Sequence, residues 1–346
     1  MSENTITAGD ENVSQGKPTL TIIGVGGGGN STVYRLLDSD IKGVNTVVAN
    51  TDLRALSKHK GSCVIQLGKL VAGGRGAGAN PAIGFVAAKE SKDAIREAIK
   101  GSDMLFITAG FGGGTGTGAA PVIAEISKEL GILTVAVVTK PFNFEGKKKL
   151  KFADEAINKM REHVDALLVV SNQKLLDTGS KGINMLNAFK KVDEVLGQAI
   201  RGLITLINAT GHINVDFNDV RTVMSEQGLA VMGQGEVSGP ERVSLATREA
   251  ISNPLMEQES IRGAKGVLIH ITGNSELSLD EVSEAGDLVC DIVDENALIV
   301  IGTTVDELME DSVSVMVLAT GIQPDIRPDS GNRSASNIVP LTNIRY

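Results

Sequence analysis

A glycine-rich segment constrains the fold of this chain more than any other part of its sequence. It reads Gly110-Phe111-Gly112-Gly113-Gly114-Thr115-Gly116-Thr117-Gly118 and lies between the apolar residues 104–108 and a helix-like stretch, 119–130. Glycines leave the N–H groups of a turn uncovered, and a helix beginning there adds its positive dipole end. This segment, the downstream glycine turn, is therefore predicted to bind phosphate between a buried strand and a helix.

A second segment of this kind, the upstream glycine turn, occupies residues 24–30. It follows the apolar residues 20–23, and a helix is predicted to begin near Ser31. Two such turns indicate one ligand with several phosphates, held from two sides. Taken alone, the upstream turn and Asp52 also match a dinucleotide-binding fingerprint, so an NAD-dependent oxidoreductase with a Rossmann domain is the alternative.

The composition limits which partners the chain is expected to bind and which cell compartment it is expected to occupy. The net charge is −9, which argues against binding to nucleic acid or to an anionic membrane. No apolar run reaches 18 residues, so direct membrane insertion is not expected. Cys63 and Cys290 lie far apart without a CxxC spacing, which is typical of reduced thiols in a cytoplasmic protein.

Strand-like and helix-like segments alternate along the first half of the chain. This alternation predicts an α/β fold with a Rossmann-like parallel sheet covered on both faces, whose ligands bind at the carboxyl ends of the strands. The apolar strand candidates in this half are residues 20–23, 46–49, 63–67, 104–108, 134–139 and 166–170.

A long helix is predicted at residues 185–209 because apolar side chains recur there in alternating steps of four and three. We expect it to connect a first domain, residues 18–184, to a second, smaller α/β domain, residues 210–323. The polar residues 1–17 are predicted to be disordered, and residues 324–346 are predicted to form a flexible tail.

The order of these features resembles the tubulin/FtsZ superfamily, and within it the FtsZ family. The downstream glycine turn carries the superfamily signature, and the resemblance covers about residues 18–322. It implies a GTPase that binds GTP and GDP, with Mg²⁺ held through the nucleotide. It also implies head-to-tail self-assembly into protofilaments and a cytokinetic ring in bacterial division. The other matching stretches are Asn50-Thr51-Asp52, Gly76-Ala77-Gly78-Ala79-Asn80-Pro81, Pro141-Phe142-Asn143-Phe144-Glu145-Gly146 and Asn214-Val215-Asp216-Phe217-Asn218-Asp219-Val220.

The resemblance assigns the phosphate contacts to both glycine turns. No GxxxxGK[ST] motif occurs, so N–H groups, helix dipoles and Mg²⁺ must meet the phosphate charge. An added Cβ at these glycines is expected to block the ligand and to force a positive φ on the new residue. The residues assigned are Gly27, Gly28, Gly29, Asn30, Ser31, Gly114, Thr115 and Gly116.

The same resemblance places Glu145 at the ribose and Lys149 beside the nucleotide, where the family usually has Arg. As alternatives, Glu145 is a surface carboxylate at a helix start, and Lys149 belongs to a solvated run of lysines. Asn172, Phe189 and Asp193 are assigned to the base. Phe189 stacks on a purine or packs in the core, while a carboxylate accepts from N1–H and N2–H of guanine and so favours GTP over ATP.

The resemblance assigns hydrolysis to Asn214, Asp216 and Asp219, which reach the γ-phosphate of the neighbouring subunit. Carboxylates three residues apart suit the positioning of a water molecule for in-line attack. The alternative is turn and helix-cap chemistry before Val220. The last residues depart from the family's usual terminal peptide, so the sequence leaves the divisome partners of the tail open.

Overall fold

The computed structural model describes residues 17–322 except 40, 42, 58–61, 178–183, 209–212, 214, 226–227 and 253–260. The predictions for residues 1–16, Asn214 and the tail at 324–346 lie outside the described residues. Strands and helices alternate from Leu20 onward, as predicted. The strands are β1 Leu20–Val25, β2 Val44–Asn50, β3 Cys63–Gln66, β4 Met104–Gly110, β5 Leu133–Lys140, β6 Ala166–Ser171, β7 Gly228–Ser238, β8 Gly266–Gly273, β9 Leu298–Val305 and β10 Ser312–Ile322.

The helices cover the sheet and include short segments at the ends of several strands. They are α1 Gly26–Asp38, α2 Leu53–Leu56, α3 Pro81–Glu90, α4 Lys92–Ile99, α5 Thr115–Glu129, α6 Lys147–Arg161, α7 Asn172–Asp177, α8 Met185–Asn208, α9 Phe217–Met224, α10 Arg242–Ile251 and α11 Leu279–Cys290. Residues 81–99 were predicted as one helical stretch. The structure ends α3 before Ser91, whose Oγ accepts from Gly68 N at 3.0 Å, and begins α4 after it.

The ten strands form one sheet in the order β3-β2-β1-β4-β5-β6-β7-β10-β8-β9. The strands run parallel except β10, which is antiparallel to β7 and β8. This confirms the predicted α/β fold with a mostly parallel sheet. The sheet continues from β6 into β7, where Ala166 pairs with Gly228, and the division into two domains stays a prediction.

The core lies where apolar runs become strands that are buried on both faces. All six residues of β1 and of β6 are buried, as expected for the centre of a parallel sheet. The sequence did not predict β7, because glycines interrupt its apolar pattern. Gly235 is required there, since a Cβ at this position would lie 2.2 Å from Ala246 O of α10.

Helix α8 runs 24 residues, or about 36 Å. The apolar stripe predicted for it is buried from Val192 to Leu206. At its N-terminal end Met185 and Phe189 are 69% and 40% exposed. Those two residues belong to the surface at the carboxyl ends of the strands, where the glycine turns lie.

Candidate functional site

The later residues of each glycine turn form the first turn of a helix. Helix α1 begins at Gly26 rather than near Ser31, and α5 begins at Thr115 rather than at residue 119. Neither Val25 nor Gly114, the residues that precede these helices, caps the new N–H groups with its side chain. The N-terminal N–H groups of both helices therefore point out at the ends of β1 and β4, as anion binding requires.

Several turn glycines are required by backbone packing within the protein. A Cβ at Gly29 would lie 2.1 Å from Thr108 O, and one at Gly116 would lie 2.6 Å from Gly110 O. Around Gly27 and Gly113 nothing lies within 4 Å of such a Cβ. The two groups of glycines thus differ: one holds the turns together, and the other faces open space that a ligand can occupy.

The expectation that replacement of these glycines forces a positive φ is wrong for the assigned phosphate contacts. The glycines with positive φ in the two turns are Gly26 (+72°) and Gly112 (+96°). The assigned glycines 27–29, 114 and 116 are not among them, because they lie in or at the start of helices with ordinary helical backbone. At these positions the cost of a side chain comes from steric contact.

Asn30 and Ser31 bond to the upstream glycine turn itself. Asn30 is buried, and in the amide orientation that satisfies both ends its Nδ2 donates to Gly24 O and Gly26 O at 2.8 and 2.9 Å. Ser31 Oγ donates to Gly27 O at 3.0 Å. Asn30 thereby fixes the shape of the upstream turn from its buried side. Its contact with the nucleotide stays a prediction.

The downstream turn is held by one hydrogen bond within it and by contacts with two neighbouring loops. Thr115 Oγ1 and Thr51 Oγ1 are hydrogen-bonded at 2.7 Å, and Gly112 N donates to Thr117 Oγ1 at 3.0 Å. Gly114 packs so closely that a Cβ would lie 2.7 Å from Ala77 Cβ. Sequence reasoning missed the contribution of Thr51, although it lies in a stretch that matches the family.

Glu145 and Lys149 bind each other. Lys149 Nζ donates to Glu145 Oε2 at 2.8 Å, and Glu145 Oε1 accepts from Phe142 N at 3.0 Å. Glu145 thus holds a 3₁₀ turn at residues 143–145 while its carboxylate stays partly accessible. Both alternatives considered for the pair, structural and nucleotide-binding, are compatible with this geometry.

An aromatic cluster lies beside α8. Phe189 meets Phe142 edge to face, with ring centroids 5.4 Å apart, and Phe142 stacks on Phe144 at 5.1 Å. Phe142 is buried, whereas Phe189 is 40% exposed. Phe189 is therefore supported on one side by an aromatic neighbour and has exposed surface for stacking.

Asn172 begins α7 directly after β6 and is 5% exposed. Its Oδ1 is buried without a hydrogen-bond partner. Because an unpartnered buried acceptor costs free energy, this atom is a natural position for a donor from a ligand.

Asp193 lies one turn beyond Phe189 on α8, and its Oδ2 accepts from Arg35 Nε at 3.0 Å. The Asp193 side chain is 14% exposed. Burial raises the pKa of this carboxyl, although the neighbouring Arg35 opposes the shift. The sequence indicated that this acid needs a partner, but it did not identify Arg35.

Asp216 and Asp219 form a reciprocal cap at the start of α9. Asp216 Oδ1 accepts from Asn218 N and Asp219 N at 2.8 and 2.9 Å, while Asp219 Oδ2 accepts from Asp216 N at 3.2 Å. The capping alternative is therefore confirmed as a structural role. Both acids also remain accessible, since Asp216 is exposed and Asp219 is partly exposed.

The acids lie far across the sheet from the glycine turns. Val215, next to Asp216, packs against Gly302 of β9, where an added Cβ would be 2.6 Å from Val215 Cγ2. Strand β9 is six strand spacings from β4, or about 29 Å. The other end of α9 places Arg221 and Ser225 beside residues 163–165, which precede β6, so this helix also approaches the amino ends of the strands.

Two further properties bear on cofactors and membranes. Within the described part of the chain, no cluster of three or more His, Cys, Asp or Glu side chains has the arrangement of a metal site. Among the helices that the structure describes, none combines the length and apolarity needed to cross a bilayer.

Comparison with known proteins identifies the relatives of this chain. A model of the tubulin/FtsZ family GTPase domain matches residues 19–180, and a model of the FtsZ family C-terminal domain matches residues 228–323. The cell division protein FtsZ of Wigglesworthia glossinidia brevipalpis is 48% identical over 331 residues, covering 94% of this chain and 86% of the relative. The cell division protein FtsZ of Pseudomonas putida is 49% identical over 312 residues, covering 90% and 78%.

Solved structures agree with these matches. The empty FtsZ dimer of M. jannaschii has a TM-score of 0.84 and 46% sequence identity, covering 90% of this chain and 91% of that one. A GTPγS-bound protofilament of CetZ2 from Haloferax volcanii has a TM-score of 0.77 at 21% identity, covering 88% and 93%. The latter similarity concerns the fold alone.

Proposed function

The chain belongs to the tubulin/FtsZ family of GTPases, and we propose that it hydrolyses GTP in a centre shared by two copies. The observation that carries this proposal is the separation, within one copy, of the glycine turns from Asp216 and Asp219. The turns follow β1 and β4, whereas the acids lie about 29 Å across the sheet beside β9. A head-to-tail neighbour brings the missing half to each site.

The base site selects guanine. Phe189 stacks on the purine, and the Asp193 carboxylate accepts hydrogen bonds from N1–H and N2–H. Arg35 Nε donates to Asp193 Oδ2 and holds the carboxylate in place. Asn172 Oδ1 accepts a further hydrogen bond from the nucleotide. Adenine offers no N1–H or N2 amino group, so binding it leaves the buried Asp193 without these donors, which costs affinity.

The triphosphate lies against the helix starts of the two glycine turns. Gly27 and Gly113 leave space for it, and the N–H groups that begin α1 and α5 donate to its oxygens. Glu145 and Lys149 flank the ribose. Mg²⁺ would be held through the phosphate oxygens of the nucleotide and would neutralise phosphate charge. The nearest hydroxyl of the downstream turn is that of Thr115, which Thr51 Oγ1 contacts at 2.7 Å.

Hydrolysis begins when Asp216 and Asp219 of one copy orient a water molecule at the γ-phosphate of the next. The water oxygen forms a bond to phosphorus as the bond to the β-phosphate oxygen breaks, which releases GDP and inorganic phosphate. A carboxylate takes up the proton from the water. Asn214 acts with these two acids in positioning the water molecule. Turnover therefore requires assembly.

In the cell, we place this activity in the cytoplasm, in a cytokinetic ring at midcell that is built from protofilaments of the chain. The support is the high identity to relatives named cell division protein FtsZ. An NAD-dependent oxidoreductase is not favoured. Asp52, the acid of that fingerprint, instead accepts from Arg54 N at 2.8 Å and caps α2.

A mixing experiment tests the shared centre. One variant, Asp216→Ser with Asp219→Gln, retains the nucleotide site and lacks the acids. A second, Asp193→Ala, retains the acids and binds GTP poorly. Each alone is expected to hydrolyse GTP slowly. A mixture is expected to exceed the sum of the two rates, because the acids of the second variant meet the GTP of the first.

The control is the same mixture in which both variants lack the acids. It must stay at the basal rate while the two variants still cosediment. If the first mixture cosediments without any gain in phosphate release, the acids do not act on a neighbouring copy and the shared centre is refuted.

A further inference from the structure

A groove of about 460 Å³ lies between α3, α5 and α6, away from the base site. Pro121 and Val122 of α5 form its floor, and Phe85 of α3 and Phe152 of α6 form its walls. One end reaches Asn80 and Gly118 beside the downstream glycine turn. The opposite end reaches His163, near the amino end of β6.

The walls of the groove suit an uncharged, apolar occupant. Phe85 is 44% exposed. Lys89 lies over the Phe85 ring at 5.7 Å and Lys148 lies over the Phe152 ring at 5.6 Å. Lys89 also pairs with Glu125 at 2.7 Å, so the charge nearest the floor is already compensated. The lining also includes Glu155 and Lys159, which carry opposite charges, so a charged occupant would meet a like charge as well as an opposite one. Apolar side chains would instead cover two aromatic rings.

The described chain ends close to one end of this groove. Strand β10 ends at Ile322, which pairs with Leu229 of β7. Gly228, the residue before Leu229, pairs with Ala166 of β6. Two strand spacings, or about 10 Å, thus separate Ile322 from the start of β6. His163, which lines the groove, is three residues before Ala166.

The residues that follow contain one apolar segment, Ile338-Val339-Pro340-Leu341. It lies within residues 334–344, which carry no charged side chain. The sixteen residues from Ile322 to Ile338 can span up to about 53 Å, far more than the distance to the groove. The floor from Thr117 to Glu125 measures about 12 Å, which is the length of about four extended residues.

From this agreement in length, polarity and position, we infer that residues 338–341 dock in the groove between α3, α5 and α6 of the same chain. Ile338 and Leu341 cover Phe85 and Phe152, and Pro340 favours an extended segment without needing a backbone donor. The docked segment approaches Asn80, which packs on Gly114 of the downstream turn.

Site-specific photocrosslinking in the full chain tests the docking. A benzophenone side chain replaces Val339, and the protein is irradiated without nucleotide at a concentration where it is monomeric. Mass spectrometry is expected to find adducts within the same chain on α3, α5 or α6. Phe85→Ser should lower their yield about tenfold because it removes most of one wall. Leu308→Ser, at an exposed leucine outside the groove, should leave the yield unchanged.

Hydrogen exchange gives a second measurement that needs no crosslinker. Amides of α3 and α6 should exchange faster in a Leu341→Asp chain than in the parent, while those of α10 stay unchanged. Adducts between two chains would assign the groove to a second copy and refute docking in the same chain. Adducts elsewhere, an absence of adducts, or unchanged exchange in α3 and α6 would overturn the proposal as well.

Discussion

Arg35 Nε donates to Asp193 Oδ2 over 3.0 Å and so joins α1 to α8. Helix α1 therefore has two roles: it presents N–H groups at its start and orients the carboxylate assigned to guanine near its end. Burial raises the pKa of Asp193 despite this partner. The ionised Asp193 carboxylate thus lowers the stability of the folded protein. Hydrogen bonds from N1–H and N2–H of a bound guanine can offset this loss.

The first prediction is that Asp193→Asn separates stability from binding. A carboxyl whose folded pKa exceeds its unfolded pKa stabilises the fold at low pH, and this contribution is lost as pH rises through the folded pKa. At pH 7 the variant should therefore unfold at an equal or higher urea concentration than the parent. Its GTP affinity, measured by calorimetry, should fall about 10- to 100-fold, since a charged acceptor for guanine is lost.

Glu194→Gln is the matched control, because it removes a charge from the adjacent residue of α8. GTP affinity should change by less than about twofold there, as for a surface substitution. If Asp193→Asn binds GTP as tightly as the parent, or if the parent does not prefer GTP to ATP, the role of Asp193 in base selection is wrong.

The second prediction concerns two glycines of the same turn. Gly29→Ala should destabilise the protein by about 2 kcal/mol or more, because the new Cβ would lie 2.1 Å from Thr108 O. Gly27→Ala should leave stability equal or slightly higher, because alanine is the better helix former and nothing lies within 4 Å. GTP affinity should nevertheless fall in Gly27→Ala. Thermal unfolding and nucleotide binding of both variants, compared with the parent, check this.

Normal GTP affinity in Gly27→Ala would contradict the assignment of this open space to the ligand. Normal stability in Gly29→Ala would show instead that the upstream turn moves away from β4 at little cost. The pair thus tests packing and ligand approach at positions two residues apart in sequence.

The strands of the first half were predictable because their apolar runs become central strands that are buried on both faces, as in β1 and β6. The beginnings of α1 and α5 were not, because glycine has a low helix propensity and a glycine-rich stretch favours a turn. Packing overrides that preference. On the sides that face neighbouring backbone, the starts of these helices leave no room for side chains, as Gly29 and Gly116 show.

For Phe189 the sequence left open whether the ring stacks on a purine or packs in the core, because the residue fits the apolar stripe of α8. The structure leaves 40% of this residue exposed, and its contact with the base stays a prediction. Arg35 was not predictable, because it meets Asp193 across 158 residues of sequence and no local pattern links them. The cap formed by Asp216 and Asp219 was foreseen as an alternative to catalysis. A cap uses some of the carboxylate oxygens and leaves the acids accessible, so sequence alone cannot separate the two roles.

The third prediction separates the capping role of those acids from catalysis. Asp216→Ser with Asp219→Gln retains a good N-cap and a good third residue for a capping box. Its unfolding free energy should therefore stay within about 1 kcal/mol of the parent. GTP binding should persist, while phosphate release from assembled protein falls by orders of magnitude. Turnover equal to that of the parent would show that these carboxylates act only as caps.

The fourth prediction is a loss of stability in mild acid that is due to His270. Its ring is buried under α8, with Nε2 2.9 Å from Thr304 Oγ1, and burial lowers its pKa to about 4. The unfolded chain takes up the proton first as pH falls below about 6.5, so the folded state loses about 1 kcal/mol by pH 5.5. Urea unfolding at pH 7.5 and 5.5 should show a smaller difference for His270→Gln than for the parent. An equal difference in His270→Gln and in the parent would refute the assignment to His270.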